Sequence, residues 1–267
     1  MQKYLYLALL CLSLVACEQS ETEIQSVEQK RSSSGAGAPT SNLAIPDNRQ
    51  SSHYRILLYG NSHTARQAGL IKRLIFASDP ERLVDAKNAA GGFLDENLAS
   101  AKQVAKLEGA SWTHVILQGQ KYSQSGFTTY PTTAAQHWIE KVKINGATPI
   151  LFPEHPQRGR ADEGQRIHKL HIAISQQQKS CVAPVGLTWD KALLNAPQLT
   201  LHHSDGNHAS LTGAMLTALV FYEVITGKSA DLLPYIPEID VDESTQKLLG
   251  KIASETLQSS PSCQFGR

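Results

Sequence analysis

The chain has 267 residues, of which 41% are apolar and 18% are charged. Its 25 lysines and arginines nearly balance its 24 aspartates and glutamates, which gives a net charge of +1. This balance, without a long basic block, excludes the electrostatic pattern of a nucleic-acid-binding protein, and we expect no nucleic acid as a partner.

The first residues have the pattern of an export signal. Lys3 supplies a positive charge, residues 4–15 form a short apolar run, and small residues precede Cys17. The run is too short to span a membrane comfortably, so residues 1–16 are predicted to be a signal peptide. An ordinary secretory peptide, with Cys17 present by accident, is the alternative.

The end of this run, Leu14-Val15-Ala16-Cys17, resembles the lipobox of bacterial lipoproteins. The resemblance implies cleavage before Cys17 and lipidation of Cys17, which would anchor the protein in the bacterial cell envelope. An aspartate after the cysteine resembles the signal for inner-membrane retention, but Glu18 stands there instead. We therefore expect the outer membrane.

Residues 17–52 are rich in Ser, Gln, Glu, Gly and Pro and poor in large apolar side chains. Such a segment cannot bury enough surface to offset its ordering entropy, so the sequence predicts a flexible, lipid-anchored tether. The remainder, residues 53–267, is long enough for a single domain with one core.

Short apolar runs alternate with helical patterns through this domain, which predicts an α/β fold. Alternating strands and helices form βαβ units, so we expect a three-layer sandwich with a mostly parallel five-stranded sheet. The predicted strands are Arg55–Tyr59, Leu83–Ala86, His114–Leu117, Pro149–Phe152 and Val182–Val185. The predicted helices are Thr64–Ala77, Asp95–Leu107, Thr132–Ile144, Asp162–Gln177, Leu211–Ile225 and Asp242–Leu257.

Two short strings carry groups suited to acyl transfer. Ser62 lies in Gly60-Asn61-Ser62-His63, directly after the first predicted strand, where a hydroxyl can be exposed at the edge of a sheet. Asp205 and His208 share one turn, so the carboxylate can orient the imidazole. A nucleophile and an oriented base are the minimum for covalent acyl transfer. Each string alone is also an ordinary turn, and Asp205 could instead cap a helix.

With the blocks between them, these strings resemble those of the SGNH (GDSL-like) hydrolase superfamily, which implies a flavodoxin-like fold. Ile56–Ser62 resembles the first sequence block of that superfamily, with Asn61 in place of the more usual aspartate. The resemblance makes Ser62 the nucleophile and its backbone N–H an oxyanion donor. The second block resembles Asn88–Gly92, where Gly92 would give another N–H to the oxyanion, with Gly91 as the alternative donor.

The third block departs from the usual Gly-x-Asn-Asp. Gln118-Gly119-Gln120 stands there and is similar to the Gln-Gly-Glu variant of carbohydrate O-acetylesterases in the same superfamily. The resemblance makes the Gln118 amide an oxyanion donor. The last block, Asp-x-x-His, matches Asp205 and His208 as the acid and base of the triad.

Other polar residues near these blocks are candidates to line a substrate pocket. Ser62, the glycine pair and Gln118 follow predicted strands and should gather along one edge of the sheet, because working loops lie beyond the carboxyl ends of parallel strands. Glu154 and His155 follow the fourth predicted strand, and a solvated loop is equally open for them. The candidate pocket residues are Asn61, His63, Gly91, Gln120, Glu154 and His155.

The cysteines and histidines leave two further questions. An exported protein lies in an oxidising space, so we expect Cys181 and Cys263 to form a disulfide, with two free thiols as the alternative. His202 and His203 lie near Asp205 and His208, but their spacing follows no recognised ligand pattern. We expect no metal and no cofactor.

The sequence therefore predicts a serine esterase that hydrolyses carboxylic esters of short acyl groups, with acetyl esters on carbohydrate as expected substrates. A first alternative is an O-acetyltransferase acting on an envelope or extracellular polysaccharide, because Asn61-Ser62-His63 also resembles the signature of alginate-type O-acetyltransferases. A second is a non-catalytic lipoprotein that binds glycans. The oligomeric state is not indicated.

Overall fold

A computed structural model describes residues 37–265 of the chain. The predicted signal peptide, Cys17 and the first part of the predicted tether lie outside these residues. Within the described part, no helix is both long and apolar enough to cross a membrane.

The described residues contain a five-stranded sheet in which every neighbouring pair of strands is parallel. The strand order is β2-β1-β3-β4-β5, which is the order of a flavodoxin-like sheet and confirms the predicted fold class. The central strands β3 and β4 are buried along their whole length, which is why they consist almost entirely of apolar residues. The strands are β1 His53–Tyr59, β2 Leu83–Ala90, β3 His114–Leu117, β4 Thr148–Leu151 and β5 Cys181–Val182.

Helices cover both faces of this sheet and complete the three layers. They are α1 Gln67–Ser78, α2 Leu94–Leu98, α3 Ala101–Glu108, α4 Thr133–Ile144, α5 Glu163–Gln177, α6 Val185–Asn195, α7 Leu211–Thr226 and α8 Glu243–Ser259. Side chains alternate along β1, with Ile56 and Leu58 facing one core and Leu57 and Tyr59 facing the other. The first core contains α1, α6, α7 and α8, and the second contains α2 to α5.

The predicted elements differ from the observed ones in several places, and the second strand, predicted to end at Ala86, extends to Ala90. The helix predicted over 95–107 is two helices, because Ser100 adopts an extended backbone conformation between them. The strand predicted over 182–185 ends at Val182, and helix α6, which was not predicted, begins at Val185 directly after Pro184. A proline is well placed at a helix start, because it lacks the N–H that would stay unpaired there. The helix predicted from Thr64 begins at Gln67, after a short 3₁₀ turn.

The compact unit begins at Ala38, earlier than the predicted boundary at residue 53. The Ser41 backbone N–H and hydroxyl both donate to Glu140 Oε1, at 3.0 and 2.7 Å. Lys143 Nζ donates to Asn42 Oδ1 at 3.0 Å and to the Leu43 carbonyl at 2.8 Å. The prediction of a flexible tether through residue 52 is therefore corrected. Individual hydrogen bonds fix this segment, and composition does not reveal them.

A disulfide joins Cys181 and Cys263, the two cysteines whose pairing the sequence left open. The bridge links residues 82 positions apart and ties the C-terminal tail to β5. Beside it, the Val182 N–H donates to the Ser262 carbonyl at 2.8 Å. The tail thus extends the ordered surface next to the last strand of the sheet.

Candidate active site

The turn after β1 presents Ser62 to solvent. Gly60 has φ of +152°, and a side chain there would place its Cβ 2.4 Å from Gln118 Oε1, so glycine is required at this position. The Asn61 side-chain oxygen accepts a hydrogen bond from the His63 N–H at 3.0 Å. This contact caps the 3₁₀ turn that begins at Ser62, a role that the short amide side chain of asparagine suits. The Ser62 hydroxyl is thereby exposed.

Ser62, His208 and Asp205 form a continuous chain of hydrogen bonds. Ser62 Oγ lies 2.8 Å from His208 Nε2, and His208 Nδ1 lies 2.7 Å from Asp205 Oδ2. A carboxylate only accepts, so Nδ1 carries the proton and Nε2 is left to accept from the serine hydroxyl. The side-chain hydrogen bond from His208 is the main cause that holds the pKa of Asp205 well below its usual range. The structure brings these three predicted residues together, although 146 positions separate the serine from the histidine.

The carboxylate and imidazole lie at the protein surface. The side chains of Asp205 and His208 are 45% and 43% exposed. An ion pair so exposed adds little to folding stability, so the contact serves to orient the imidazole. Asp205 Oδ1 also accepts from the backbone N–H groups of Asn207 and His208, both at 2.9 Å. The four-residue turn thus fixes the Asp205 carboxylate by its own backbone.

The loop after β4 is hydrogen-bonded to the Asp205–His208 turn, a contact that the sequence did not predict. His155 Nε2 donates to the Asn207 carbonyl at 2.9 Å, and Gln157 Nε2 donates to Asn207 Oδ1 at 3.1 Å. The Arg158 N–H donates to the Gly206 carbonyl at 2.8 Å. The only signal for Gln157 and Arg158 in the sequence is their place in a polar run after a buried strand.

The Gln118 side chain anchors the nucleophile turn. Its Oε1 accepts from the Asn61 N–H at 2.7 Å, and its Nε2 donates to Glu154 Oε2 at 2.8 Å. Gln118 is only 1% exposed, so both contacts are shielded from water. The resemblance gave this amide the role of an oxyanion donor. The structure adds a second role, because the same amide supports the backbone directly before Ser62.

The loops after β2 and β3 touch each other, which places Gly92 beside the Gln118 turn. The Leu94 N–H donates to the Gly119 carbonyl at 3.0 Å. Gly119 has φ of +96°, and a Cβ there would lie 2.9 Å from the Gly92 carbonyl oxygen. This close contact favours glycine at position 119, and a φ of +99° favours glycine at position 92. Gly91, the alternative donor, is exposed.

His63 and Glu154 form a mostly buried contact beneath the triad. Their side chains are 7% and 15% exposed, and His63 Nε2 lies 3.5 Å from Glu154 Oε2. Burial, together with the neighbouring His208, lowers the pKa of His63 to about 4, so its ring is neutral at pH 7. Burial raises the pKa of Glu154 to about 7. The His63 ring also stacks on that of His208 at 5.4 Å, which supports the imidazole from behind.

Two of the predicted pocket residues are instead part of the protein interior. Gln120 is buried, and its amide donates to the carbonyls of Lys121 and Pro131 at 2.8 and 3.1 Å. His155 is also buried, and its ring stacks on Trp189 at 3.9 Å. Burial lowers the pKa of His155 to about 3. The polar atoms of these two residues are thus hydrogen-bonded within the fold.

The histidines near the base have hydrogen-bond partners within the described residues. His202 Nε2 lies 2.8 Å from the Pro156 carbonyl, so this nitrogen donates and cannot coordinate an ion. Within residues 37–265, no group of three or more histidine, cysteine, aspartate or glutamate side chains is arranged to hold a metal ion.

Comparison with solved structures identifies the fold as that of the SGNH hydrolases. A candidate SGNH hydrolase from Slackia heliotrinireducens is 23% identical over 64% of this chain and 98% of its own, with a TM-score of 0.51. A DUF4886 family protein from Bacteroides uniformis is 12% identical over 80% of this chain and 98% of its own, with a TM-score of 0.62.

A two-domain esterase active on acetylated mannans, crystallised with mannopentaose, is also similar. It is 14% identical over 75% of this chain and 58% of its own, with a TM-score of 0.50. No family model matches the chain, and the search of curated proteins finds no match. The comparisons therefore define the fold, and the function has to be argued from the site.

Proposed function

We propose that this protein is a serine esterase that hydrolyses carboxylic esters of short acyl groups. The observation that carries the proposal is the hydrogen-bonded chain from Ser62 Oγ through His208 to Asp205. A hydroxyl 2.8 Å from an unprotonated imidazole nitrogen is an activated nucleophile, because its proton has an acceptor already in place.

The reaction follows from these positions. His208 Nε2 takes the hydroxyl proton as Ser62 Oγ attacks the carbonyl carbon, and the proton then passes to the leaving alcohol. Water then attacks the acyl group as His208 Nε2 takes its proton. The bond to Ser62 Oγ breaks, the proton returns to that oxygen, and the carboxylic acid is released. Asp205 holds the imidazole tautomer and stabilises the imidazolium.

The oxyanion needs donors aimed at the tetrahedral intermediate. The proposed donors are the backbone N–H groups of Ser62 and Gly92 and the amide of Gln118. Gly92 and Gln118 lie on adjoining loops at the same edge of the sheet, which supports the assignment. In acyl-transfer enzymes one such donor contributes about 3–4 kcal/mol to lowering the barrier.

Acetyl esters on carbohydrate are the proposed substrates. The Gln118-Gly119-Gln120 block resembles that of carbohydrate O-acetylesterases, and an esterase active on acetylated mannans shares the fold. The exposure of His208 and Asp205 suits an ester carried on a large sugar chain that lies across the surface. The alternatives of an O-acetyltransferase and a non-catalytic glycan-binding protein gain no support from these neighbours.

Hydrolysis by the purified full-length protein tests the proposal. We expect acetate release from p-nitrophenyl acetate and from acetylated mannan, and a loss of at least about 10⁴-fold in kcat for Ser62→Ala. Ser204→Ala is the matched control, because this exposed serine also lies beside an imidazole, that of His203, at 3.2 Å. Equal activity in Ser62→Ala and the wild type would refute the assignment of the nucleophile.

We also propose that lipidation at Cys17 anchors the enzyme in the bacterial cell envelope, in the outer membrane. Growth of the expressing bacterium with radiolabelled palmitate tests this. We expect label in the wild type and none in Cys17→Ser, with the variant released from the membrane fraction. Label retained in Cys17→Ser would place the lipid elsewhere and contradict the proposal.

A further inference from the structure

Glu154 contacts two side chains of the nucleophile end of the site, those of Gln118 and of His63. Its Oε2 accepts from Gln118 Nε2 at 2.8 Å and lies 3.5 Å from His63 Nε2. Tyr122, whose hydroxyl also lies 3.4 Å from Glu163 Oε1, is the other polar group that faces it. The Glu154 side chain is only 15% exposed. The Gln118 side chain lies between Glu154 and the backbone of Asn61, the residue before Ser62.

The two hydrogen bonds of Gln118 identify the oxygen and the nitrogen of its side-chain amide. The Asn61 N–H can only donate, so the atom facing it at 2.7 Å must be the oxygen Oε1. The nitrogen Nε2 then faces Glu154, which supplies the acceptor for one of its two hydrogens. The second hydrogen remains for another acceptor. Without an acceptor at position 154, only the Asn61 contact would hold the amide, and its nitrogen could turn away.

We propose that Glu154 is a positioning residue, which holds the Gln118 amide so that its second N–H is available to the oxyanion formed on Ser62. The inference rests on the proposed esterase function and names the residue that prepares one of its oxyanion donors. A preorganised donor stabilises the transition state because no reorientation is needed at the moment of reaction.

This role does not depend on the charge of Glu154. The carboxyl pKa is raised by burial to about 7, so both ionisation states are present near neutral pH. A carboxylate has two acceptor oxygens, and the neutral acid keeps its carbonyl oxygen as an acceptor. A glutamine at this position would also keep one. An apolar side chain of the same size would not.

Kinetics of Glu154→Met and Glu154→Gln test the role at nearly constant volume. For Glu154→Met we expect kcat to fall about 10- to 100-fold with KM within about 2-fold, because an oxyanion donor acts in the transition state rather than in substrate binding. For Glu154→Gln we expect at least about a third of the wild-type kcat. Equal losses in the two variants would overturn the proposal, since a general packing or charge effect would not separate them.

A double-mutant cycle identifies the partner. In a Gln118→Leu background, Glu154→Met should lower kcat by less than about 2-fold, because the donor that it positions is already absent. A full and independent loss in that background would contradict the proposal. Glu108→Gln is the control, since this exposed carboxylate pairs with Lys141 at 2.9 Å and makes no contact with Gln118 within the described residues, and we expect kcat within about 2-fold.

A measurement without substrate separates this proposal from the esterase function. The side-chain amide signal of Gln118 in ¹⁵N–¹H spectra can be assigned by its loss in Gln118→Leu. We expect slow hydrogen exchange of this amide in the wild type and Glu154→Gln, and at least about 10-fold faster exchange in Glu154→Met. Unchanged exchange in Glu154→Met would overturn the positioning role. Faster exchange in Glu154→Met, together with a wild type that shows no Ser62-dependent hydrolysis, would instead refute only the esterase function.

Discussion

The two ends of the candidate site are held in different ways. The turn of Ser62 depends on the buried Gln118 side chain, which lies 57 positions further along the chain. The turn of His208 depends first on Asp205, an exposed residue three positions away, which binds the backbone of its own turn. The difference shows that the base is oriented mainly by local sequence, whereas the nucleophile is oriented by the packed interior of the sheet.

The segment after β4 nevertheless contacts both ends. Glu154 reaches the nucleophile turn through Gln118, and its neighbour His155 donates to the Asn207 carbonyl in the turn of the base. One dipeptide therefore supports both turns.

The largest effect expected from this comparison is at Asp205. Asp205→Ala should lower kcat by about 10³- to 10⁴-fold, because the imidazole loses the partner that fixes its tautomer. The denaturant midpoint should not change measurably, since the carboxylate is exposed. Steady-state kinetics and urea unfolding of the same sample measure both. A marked loss of stability would contradict the view that the exposed Asp205 carboxylate serves mainly to orient the base.

The matching change at the other end is Gln118→Leu, which should affect both properties. We expect kcat to fall about 100-fold from loss of an oxyanion donor. The free energy of unfolding should fall by about 1–3 kcal/mol, because the Asn61 N–H loses its acceptor in a buried position. Kinetics and urea unfolding apply again. If kcat fell while the free energy of unfolding stayed unchanged, the nucleophile end would not depend on the protein interior more than the base end does.

The disulfide lies outside both ends of the candidate site, so its removal tests stability separately from activity. Cys181→Ser should lower the free energy of unfolding by about 2–4 kcal/mol, because the bridge closes a long loop of the unfolded chain. The tail is tied to β5, whereas the site lies on the loops after β1, β2, β3 and β4 and on the turn of residues 205–208, so kcat at 25 °C should stay within about 2-fold. Inactivity of a variant that is still folded would show that the tail takes part in the site.

The smallest expected effect is the pH dependence of stability at Glu154. Burial raises its pKa from 4.5 to about 7, so the folded state keeps a proton that the unfolded state has released. The stabilising contribution is complete below pH 4.5 and is lost as the pH rises through 7. Relative to Glu154→Gln, the wild type should therefore lose roughly 2–3 kcal/mol between pH 4.5 and 8.

The histidines act in the opposite direction. His63, whose pKa is lowered to about 4, adds stability above pH 6.5 that is lost as the pH falls through 4. Because His63 Nε2 lies 3.5 Å from Glu154 Oε2, the difference between the unfolding curves of wild type and variant reports this pair of groups rather than Glu154 alone. A difference that does not change with pH would show that Glu154 titrates normally in the folded protein.

The sequence could predict those features that are encoded locally. The limits of β3 at His114 and Leu117 follow from a continuous apolar run, and the Asp205–His208 turn is complete within four residues. The contacts of Gln118 with Asn61 and Glu154 depend on strand order and loop packing, which no local pattern contains. The order of residues 38–52 was missed for the same reason, because its hydrogen bonds reach positions about 100 residues away.

The central claim is that Ser62 becomes the reactive group of this protein because folding supplies it with the His208 imidazole. Labelling the full-length protein with a fluorophosphonate, followed by peptide mass spectrometry, tests this most directly. We predict one phosphonyl adduct, on the peptide that contains Ser62, and none in His208→Ala under the same conditions. An adduct on another residue that abolishes hydrolysis, or undiminished labelling of Ser62 in His208→Ala, would contradict the account.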